Sequence, residues 1–181
     1  MTSFHAFLGC SIDGFIAGPN GELDWLLWFD ERLGEYGYDA FFSSIDALVM
    51  GRASYDAIRQ QSPDLYDGTP VYVLSRTLPA GPQPEMGRSR VTVYADLATL
   101  RAALAADGIK RAYVDGGRTV QTFLAEGLLS DIVITRVPVL IGEGVPLFGP
   151  VPHPVPAELV ETRELGAGAV QSTYRFSPGR E

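Results

Sequence analysis

The glycine pair Gly116-Gly117 follows Asp115 and a short apolar run, residues 112–114. An amphipathic segment with apolar side chains at helical spacing, residues 118–128, comes directly after it. A strand, a glycine turn and a helix in this order leave unpaired backbone N–H groups at a helix N-terminus, where the helix dipole favours an anion. Because glycine has no side chain, a diphosphate can approach this backbone closely. The pattern fits a phosphate site, and it fits an ordinary tight turn equally well.

Two arginines follow other apolar runs in the same way. Gly51-Arg52 comes directly after residues 47–50, and Ser75-Arg76 comes directly after the next run. A planar guanidinium group donates two parallel hydrogen bonds to phosphate oxygens. On the 2′-phosphate of NADP, two such groups would give a preference over NAD on the order of 100-fold, at roughly 1.5–3 kcal/mol for each charge-assisted bond. Each arginine taken alone is also consistent with a solvated loop residue or a partner of a carboxylate.

The elements that must position these motifs alternate along the chain. Strands are predicted at residues 4–10, 47–50, 70–74, 91–94, 112–114 and 131–141, and helices at residues 38–44, 54–61, 97–106 and 118–127. Residues 13–21 and 78–88 are rich in turn-forming residues and are predicted as loops. The runs 158–165 and 169–176 flank Gly166-Ala167-Gly168, which predicts a closing β-hairpin.

This alternation predicts one α/β domain over residues 1–181. Its sheet is expected to be mostly parallel, with helices on both faces and the antiparallel hairpin at one edge. In open sheets of this kind, ligands bind beyond the carboxyl ends of the strands. The three motifs described above follow three such ends, so we expect them to meet at one edge. No Rossmann or Walker phosphate motif occurs, so a dinucleotide would have to bind by another scheme.

The composition restricts the partners and the compartment. A net charge of −8 argues against nucleic acid and anionic membranes, and it requires that an anionic ligand be held by a local cluster of positive groups. Cys10 is the single cysteine, which excludes an internal disulfide and predicts a reducing, cytoplasmic location. No signal peptide or membrane-spanning run is present. His5 and His153 are far apart in sequence, so no metal site is predicted.

Five segments, in order along nearly the whole chain, resemble the dihydrofolate reductase superfamily. They are residues 11–17 (SIDGFIA), Met50-Gly51-Arg52 with Tyr55, Leu74-Ser75-Arg76, residues 115–120 (DGGRTV) and residues 135–148. The first segment and the ending VLIGEGVPLF are similar to the branch that contains the reductase domain of bacterial riboflavin biosynthesis, the RibD C-terminal domain, and its stand-alone relatives. No zinc deaminase signature accompanies them here.

The resemblance implies a three-layer α/β/α reductase that uses NADPH to reduce a small heterocycle, pteridine-like or pyrimidine-like, and that forms a homodimer, with the strand 131–141 as a candidate dimer surface. Matched by position, the 2′-phosphate side of the adenosine would be bound by Gly51, Arg52, Ser75 and Arg76. The diphosphate would be held by Gly116, Gly117, Arg118, Thr119 and Val120. The nicotinamide would contact Gly9 and Ile16. Trp25, Phe42 and Thr135 would line the substrate pocket, although the two aromatic residues are equally consistent with core packing.

Hydride transfer also needs a proton for the neighbouring heteroatom of the substrate. Two carboxylates are candidates for this catalytic role. Asp39 is the nearest match to the first-helix carboxylate of dihydrofolate reductases, with a shorter spacing to Met50. Asp13 resembles the aspartate of the riboflavin branch and is also typical of a turn before glycine. A true dihydrofolate reductase and a catalytically silent nucleotide-binding module remain as alternative interpretations.

Overall fold

The computed structural model describes residues 1–66 and 68–177, and within them strands alternate with helices. In chain order the elements are β1 (Ser3–Cys10), β2 (Phe15–Ala17), α1 (Asp24–Asp30), α2 (Tyr38–Phe42), β3 (Ala47–Gly51), α3 (Arg52–Gln61), β4 (Val71–Leu74), β5 (Gly81–Met86), β6 (Ser89–Tyr94), α4 (Leu97–Ala106), β7 (Arg111–Asp115), α5 (Gly117–Ala125), β8 (Leu129–Arg136), β9 (Val145–Pro146), β10 (Ala157–Glu164) and β11 (Val170–Phe176).

The main sheet is mostly parallel, as the sequence predicts. Its strand order is β10-β11-β8-β1-β7-β3-β4-β6-β5, and the run from β8 to β6 is parallel throughout. The hairpin β10–β11 joins one edge antiparallel to β8, and β5 joins the other edge antiparallel to β6. Strands β2 and β9 form a separate small ribbon. The parallel arrangement brings the carboxyl ends of β1, β7, β3 and β4 side by side.

Helices cover both faces of this sheet and make the expected three layers. On one face α4 and α5 bury side chains such as Leu104 and Phe123 against the strands. On the other face Tyr55 of α3 and Phe41 of α2 pack over a cluster that includes Met50. Because both faces are covered, the central strands are apolar on both sides, which is typical of parallel sheets. No helix among the described residues is long and apolar enough to cross a membrane.

Local signals predict some elements closely. Helix α4 has the predicted bounds, because capping residues mark both of its ends. The Asp96 side chain accepts a hydrogen bond from the Thr99 N–H at 2.8 Å at the N-terminus. Gly108 adopts the left-handed conformation (φ 73°) just beyond the C-terminus. The closing hairpin also forms where it is predicted. These signals act within a few residues, so the sequence displays them directly.

Three predictions about elements were wrong. The strand predicted over residues 131–141 ends at Arg136, because Pro138 has no N–H for a ladder. The predicted loop 78–88 contains β5, which tolerates its two prolines because it is an edge strand. The predicted loop 13–21 contains β2, whose partner β9 lies more than a hundred residues away in sequence.

Candidate active site

A large cleft of about 1230 Å³ lies at the carboxyl edge of the sheet. Its walls are the ends of β1, β3, β4 and β7, together with the first turns of α3 and α5. The predicted cofactor residues that line it are Gly9, Ile16, Gly51, Arg52, Ser75, Arg76, Gly116, Gly117, Arg118 and Thr119. Val120 does not line it, because its side chain is fully buried in the core and its N–H donates to the Gly116 carbonyl at 3.0 Å.

Two helices begin at this cleft with open N-termini. Helix α3 starts directly after Gly51 and α5 directly after Gly116, and neither N-cap residue supplies a side-chain hydrogen bond. The nearby helix α4 differs, since Asp96 caps it. Unpaired first-turn N–H groups and the positive end of the helix dipole together favour an anion. Within the described residues, α3 and α5 therefore offer two adjacent anion sites, as a diphosphate requires.

Close backbone packing brings these two helix ends together. Gly116 has a φ of 87°, and a Cβ at this position would collide with Ser54 Oγ in the first turn of α3. A Cβ on Gly51 would lie 2.9 Å from Thr119 Oγ1 in the first turn of α5. Glycine at both positions lets each helix end approach the other. The two uncapped N-termini therefore lie side by side at the cleft, an arrangement that fits an anionic group such as the diphosphate of a dinucleotide.

The arginines at the cleft differ in whether they are already paired. Arg52 donates through Nε to Asp56 at 3.1 Å and through Nη1 to Thr77 Oγ1 at 2.9 Å. Arg76 and Arg118 are exposed, and the guanidinium group of neither has a hydrogen-bond partner among the described residues, although the Arg118 carbonyl accepts from Thr122 Oγ1 at 2.8 Å. These two guanidinium groups are therefore the ones available to an anionic ligand.

The Ser75 hydroxyl shapes the turn that presents Arg76. The Ser75 side chain is buried, and its Oγ accepts hydrogen bonds from the backbone N–H groups of Leu78 at 3.1 Å and Thr77 at 3.3 Å. Sequence reasoning assigned this hydroxyl to phosphate directly. The structure instead engages it with the protein's own backbone, which fixes where Arg76 leaves the sheet.

A half-buried carboxyl group lies on the floor of the same cleft. Asp115 ends β7, and burial raises the pKa of its carboxyl to about 6, although hydrogen bonds from the Gly116 N–H and the Tyr113 hydroxyl oppose the increase. The Tyr113 hydroxyl donates to the Phe7 carbonyl at 2.9 Å and lies 3.5 Å from Asp115 Oδ1. Asp115 can therefore exchange a proton near neutral pH.

Asp115 did not appear among the catalytic residues predicted from the sequence. The sequence does contain an indication of its role. An acidic residue directly before a predicted phosphate-binding turn would repel the phosphate, so its presence there is unexpected on electrostatic grounds. Its burial depends on neighbours that are distant in sequence, such as β3, whose Met50 pairs with it in the sheet. Only the folded chain shows it.

Aromatic side chains surround this carboxyl group. The Tyr113 ring lies 5.1 Å from the Phe41 ring and 6.4 Å from the Tyr66 ring, measured between centroids. Burial raises the pKa of Tyr38 to about 12 and the pKa values of Tyr66 and Tyr113 well above the usual range. These hydroxyl groups therefore remain protonated and can donate hydrogen bonds. Tyr66 also lines the cleft itself.

The structure does not bring the two predicted catalytic carboxylates to the cleft. Asp13 accepts hydrogen bonds from the N–H groups of Gly142 at 2.8 Å and Ile141 at 3.4 Å, and so ties two loops together. Hydrogen bonds to Asp13, first of all from the Ser11 hydroxyl, hold its pKa below the usual value. Asp39 is exposed in the first turn of α2. Neither residue belongs to the cleft lining.

The predicted substrate residues also lie outside the lining. Thr135 is buried, and its Oγ1 accepts a hydrogen bond from Gln171 Nε2 at 2.9 Å. Phe42 stacks on Tyr66 with 5.6 Å between ring centroids, so it supports the cleft wall from behind. Trp25 packs in a small separate cluster, where its Nε1 is buried without a hydrogen-bond partner.

Comparison with known proteins agrees with this architecture. The family model of the RibD C-terminal domain matches residues 5–171. A solved structure from Shewanella sp. PV-4, named for riboflavin biosynthesis, is 33% identical with a TM-score of 0.84, covering 97% of this chain and 99% of that one. The uncharacterized protein YyaP of Bacillus subtilis is 30% identical in an alignment that covers 94% of this chain and 93% of that protein.

A more distant structure shares the fold. The diaminohydroxyphosphoribosylaminopyrimidine deaminase/5-amino-6-(5-phosphoribosylamino)uracil reductase of Thermotoga maritima is 14% identical with a TM-score of 0.70. The match covers 97% of this chain and 57% of that larger protein.

Proposed function

The chain belongs to the RibD C-terminal domain family, and from that membership we propose that it is an NADPH-dependent reductase of a small planar heterocycle. One observation carries the proposal. Two uncapped helix N-termini and two unpaired guanidinium groups, those of Arg76 and Arg118, converge on one cleft in a chain whose net charge is −8. Although Asp96 and Asp115 also line the cleft, unpaired N–H groups at two helix ends and two free guanidinium groups at one place favour an anionic ligand there.

The proposed placement of the cofactor follows from these groups. The diphosphate would lie across the first turns of α3 and α5, with Arg118 beside it. The 2′-phosphate would meet Arg76, which leaves the sheet after β4. The nicotinamide would then reach the end of β1, where Gly9 lines the cleft. This direction places the reactive ring near Asp115, since β1 and β7 are neighbours in the sheet.

The chemistry divides between the cofactor and the protein. When bound, NADPH supplies a hydride, which carries two electrons, to an electrophilic carbon of the substrate. A proton must reach the adjacent heteroatom, so the overall change is NADPH + H⁺ + substrate to NADP⁺ + reduced substrate. We assign that proton to Asp115, which lines the cleft and whose carboxyl pKa is raised by burial to about 6. A donor whose pKa lies near the working pH is the kind that catalyses proton transfer well.

Equilibrium titration of the protein with NADPH and with NADH tests the proposal. We expect NADPH to bind on the order of 100-fold more tightly, and the Arg76→Ala variant to lose roughly tenfold or more of that preference, because one charge-assisted pair is removed. Arg101→Ala is the matched control, since Arg101 is an exposed arginine of α4 outside the cleft lining. Equal affinities for the two cofactors in the wild-type protein would defeat the proposal.

A further inference from the structure

The charges of the cleft carry an inference about the substrate, which rests on the proposed function. We infer that the substrate is a planar nitrogen heterocycle without a phosphate group. Among the described residues that line the cleft, Arg52, Arg76 and Arg118 are the cations. Arg52 is held by Asp56 at 3.1 Å, so two guanidinium groups remain available.

The cofactor alone would use all of this positive charge. A diphosphate and a 2′-phosphate together bring about four negative charges, since a terminal phosphate carries about −1.5 to −2 at pH 7. Against them the cleft sets two guanidinium groups and two helix N-termini, each N-terminus equivalent to about half a charge. No positive group is left over for a second phosphorylated molecule.

The end of the cleft that is left for a substrate is apolar. Leu26 closes over Gly9 at the end of β1, where a Cβ on the glycine would lie 2.7 Å from Leu26 Cδ1. Ile58, Leu65 and Tyr66 line the α3 side. These residues can cover the faces of a flat ring but offer no charge to a phosphate.

The ionisable group at this end has the wrong sign for an anion. Asp115 lies on the floor with tyrosine hydroxyl groups around it. A phosphate held here would lose its hydration beside a carboxyl group that becomes negative when it ionises, and such burial is costly without a partner. A ring with N–H donors would instead pair with Asp115 in either protonation state, since a carboxyl group accepts hydrogen bonds in both.

A matched pair of compounds tests the inference in two stages. NADP⁺ binding is measured first by calorimetry, and its absence would mean that the proposed function itself has failed. The NADP⁺-saturated protein is then titrated with 5-amino-6-(5-phosphoribosylamino)uracil and with the same compound lacking the phosphate. We expect the dephosphorylated compound to bind at least roughly tenfold more tightly. Tighter binding of the phosphorylated compound, or binding of neither, overturns the inference.

A gain of charge provides a second test. Leu65 is 54% exposed, so an arginine is tolerated there, and it would place a cation at the apolar end of the cleft. We expect Leu65→Arg to improve binding of the phosphorylated compound by roughly tenfold relative to its Leu65→Gln control, which adds a polar group of similar length without charge. The same affinity for the phosphorylated compound in both variants would overturn the assignment of this end to the substrate.

Discussion

At the scale of single residues, Asp115 connects stability to the proposed chemistry. Its carboxyl has a pKa of about 6 in the folded chain against an ordinary value of 3.8. Between about pH 4 and pH 6 the folded protein therefore holds a proton that the unfolded chain has released. The contribution of Asp115 to the free energy of unfolding therefore falls as the pH rises through this window and is constant above it. The charged side chain destabilises the fold at neutral pH, which is typical of a group retained for function.

Substitution of Asp115 by asparagine removes this charge while keeping the shape of the side chain. We expect Asp115→Asn to stabilise the protein without cofactor at pH 7.5 by on the order of 2 kcal/mol, and to flatten the dependence of stability on pH between about 4 and 6. Urea unfolding across that pH range measures both effects. Asp39→Asn is the control, since Asp39 is exposed and should show neither. An Asp115→Asn variant less stable than the wild type at pH 7.5 would contradict the assigned burial cost.

The same variant tests the proton donor. Asparagine cannot supply the proton, so we expect Asp115→Asn to lower kcat by roughly 10²–10⁴-fold while cofactor affinity stays near that of the wild type. For the wild-type protein, the proposal predicts that kcat/KM declines as the pH rises above about 6, because the acidic form of Asp115 is depleted. Steady-state NADPH oxidation over a pH series measures both. If the variant kept the wild-type kcat, the proton donor would have to be a group other than Asp115.

Residue chemistry was partly visible in the sequence. Arg76 and Gly116 were predicted from their positions directly after apolar strands, and both line the cleft. Asp13 was predicted as a candidate by its motif, but its hydrogen bonds to Gly142 and Ile141 lie across the chain and cannot be seen in the sequence. A motif identifies a residue type and a position, whereas the partners of a side chain depend on distant segments.

At the scale of elements, the cleft depends on how closely the ends of α3 and α5 approach each other. Gly116 permits this approach, because its φ is 87° and a Cβ there would collide with Ser54 Oγ. Gly127, just after α5, also has a positive φ (63°), but a Cβ there would meet nothing within 4 Å. A side chain at Gly127 would therefore introduce backbone strain alone, whereas a side chain at Gly116 would introduce both backbone strain and crowding at the cleft.

Alanine at these two positions is therefore an informative pair. Gly127→Ala should cost about 1 kcal/mol of stability from backbone strain and leave NADPH affinity unchanged. Gly116→Ala should cost more and weaken NADPH binding by roughly tenfold or more, because Ser54 must move and the helix ends separate. Chemical unfolding and cofactor titration of both variants measure this. If Gly116→Ala bound NADPH as tightly as the wild type, the proposal that the diphosphate binds at this turn would be wrong.

Elements with local signals were predictable, and those made by distant partners were not. Helix α4 was found with its bounds because Asp96 and Gly108 mark its ends. Strand β5 was missed because its prolines indicate a loop, and its edge position beside β6 is a property of the whole sheet. The short β2–β9 ribbon escaped prediction because its strands are three and two residues long.

At the scale of the whole molecule, sheet topology concentrates function at one edge. Six parallel strands place several carboxyl ends together, and three of them, β3, β4 and β7, lead into the arginines of the cleft. The net charge of −8 works against an anionic cofactor at long range, so the local groups must supply the attraction. We therefore expect cofactor affinity to depend on α3, α5 and Arg76 far more than on the remaining surface.

The predicted homodimer stays a prediction. The strand predicted to form its surface, residues 131–141, overlaps β8 only as far as Arg136, and β8 is flanked by β1 on one side and β11 on the other. Strand β8 therefore has no free edge to pair with a second copy. Among the described residues, the free edges of the main sheet are those of β10 and β5, so a dimer that pairs sheet edges would have to use one of them.

A crystal structure of the protein with bound NADP⁺ tests the central claim most directly. We expect density for the diphosphate at the first turns of α3 and α5, with Gly116 and Arg118 beside it. The 2′-phosphate oxygens should lie about 2.7–2.9 Å from the Arg76 guanidinium nitrogens, the distance of a charge-assisted hydrogen bond. A cofactor bound elsewhere, or one whose 2′-phosphate points into solvent away from Arg76, would contradict the account.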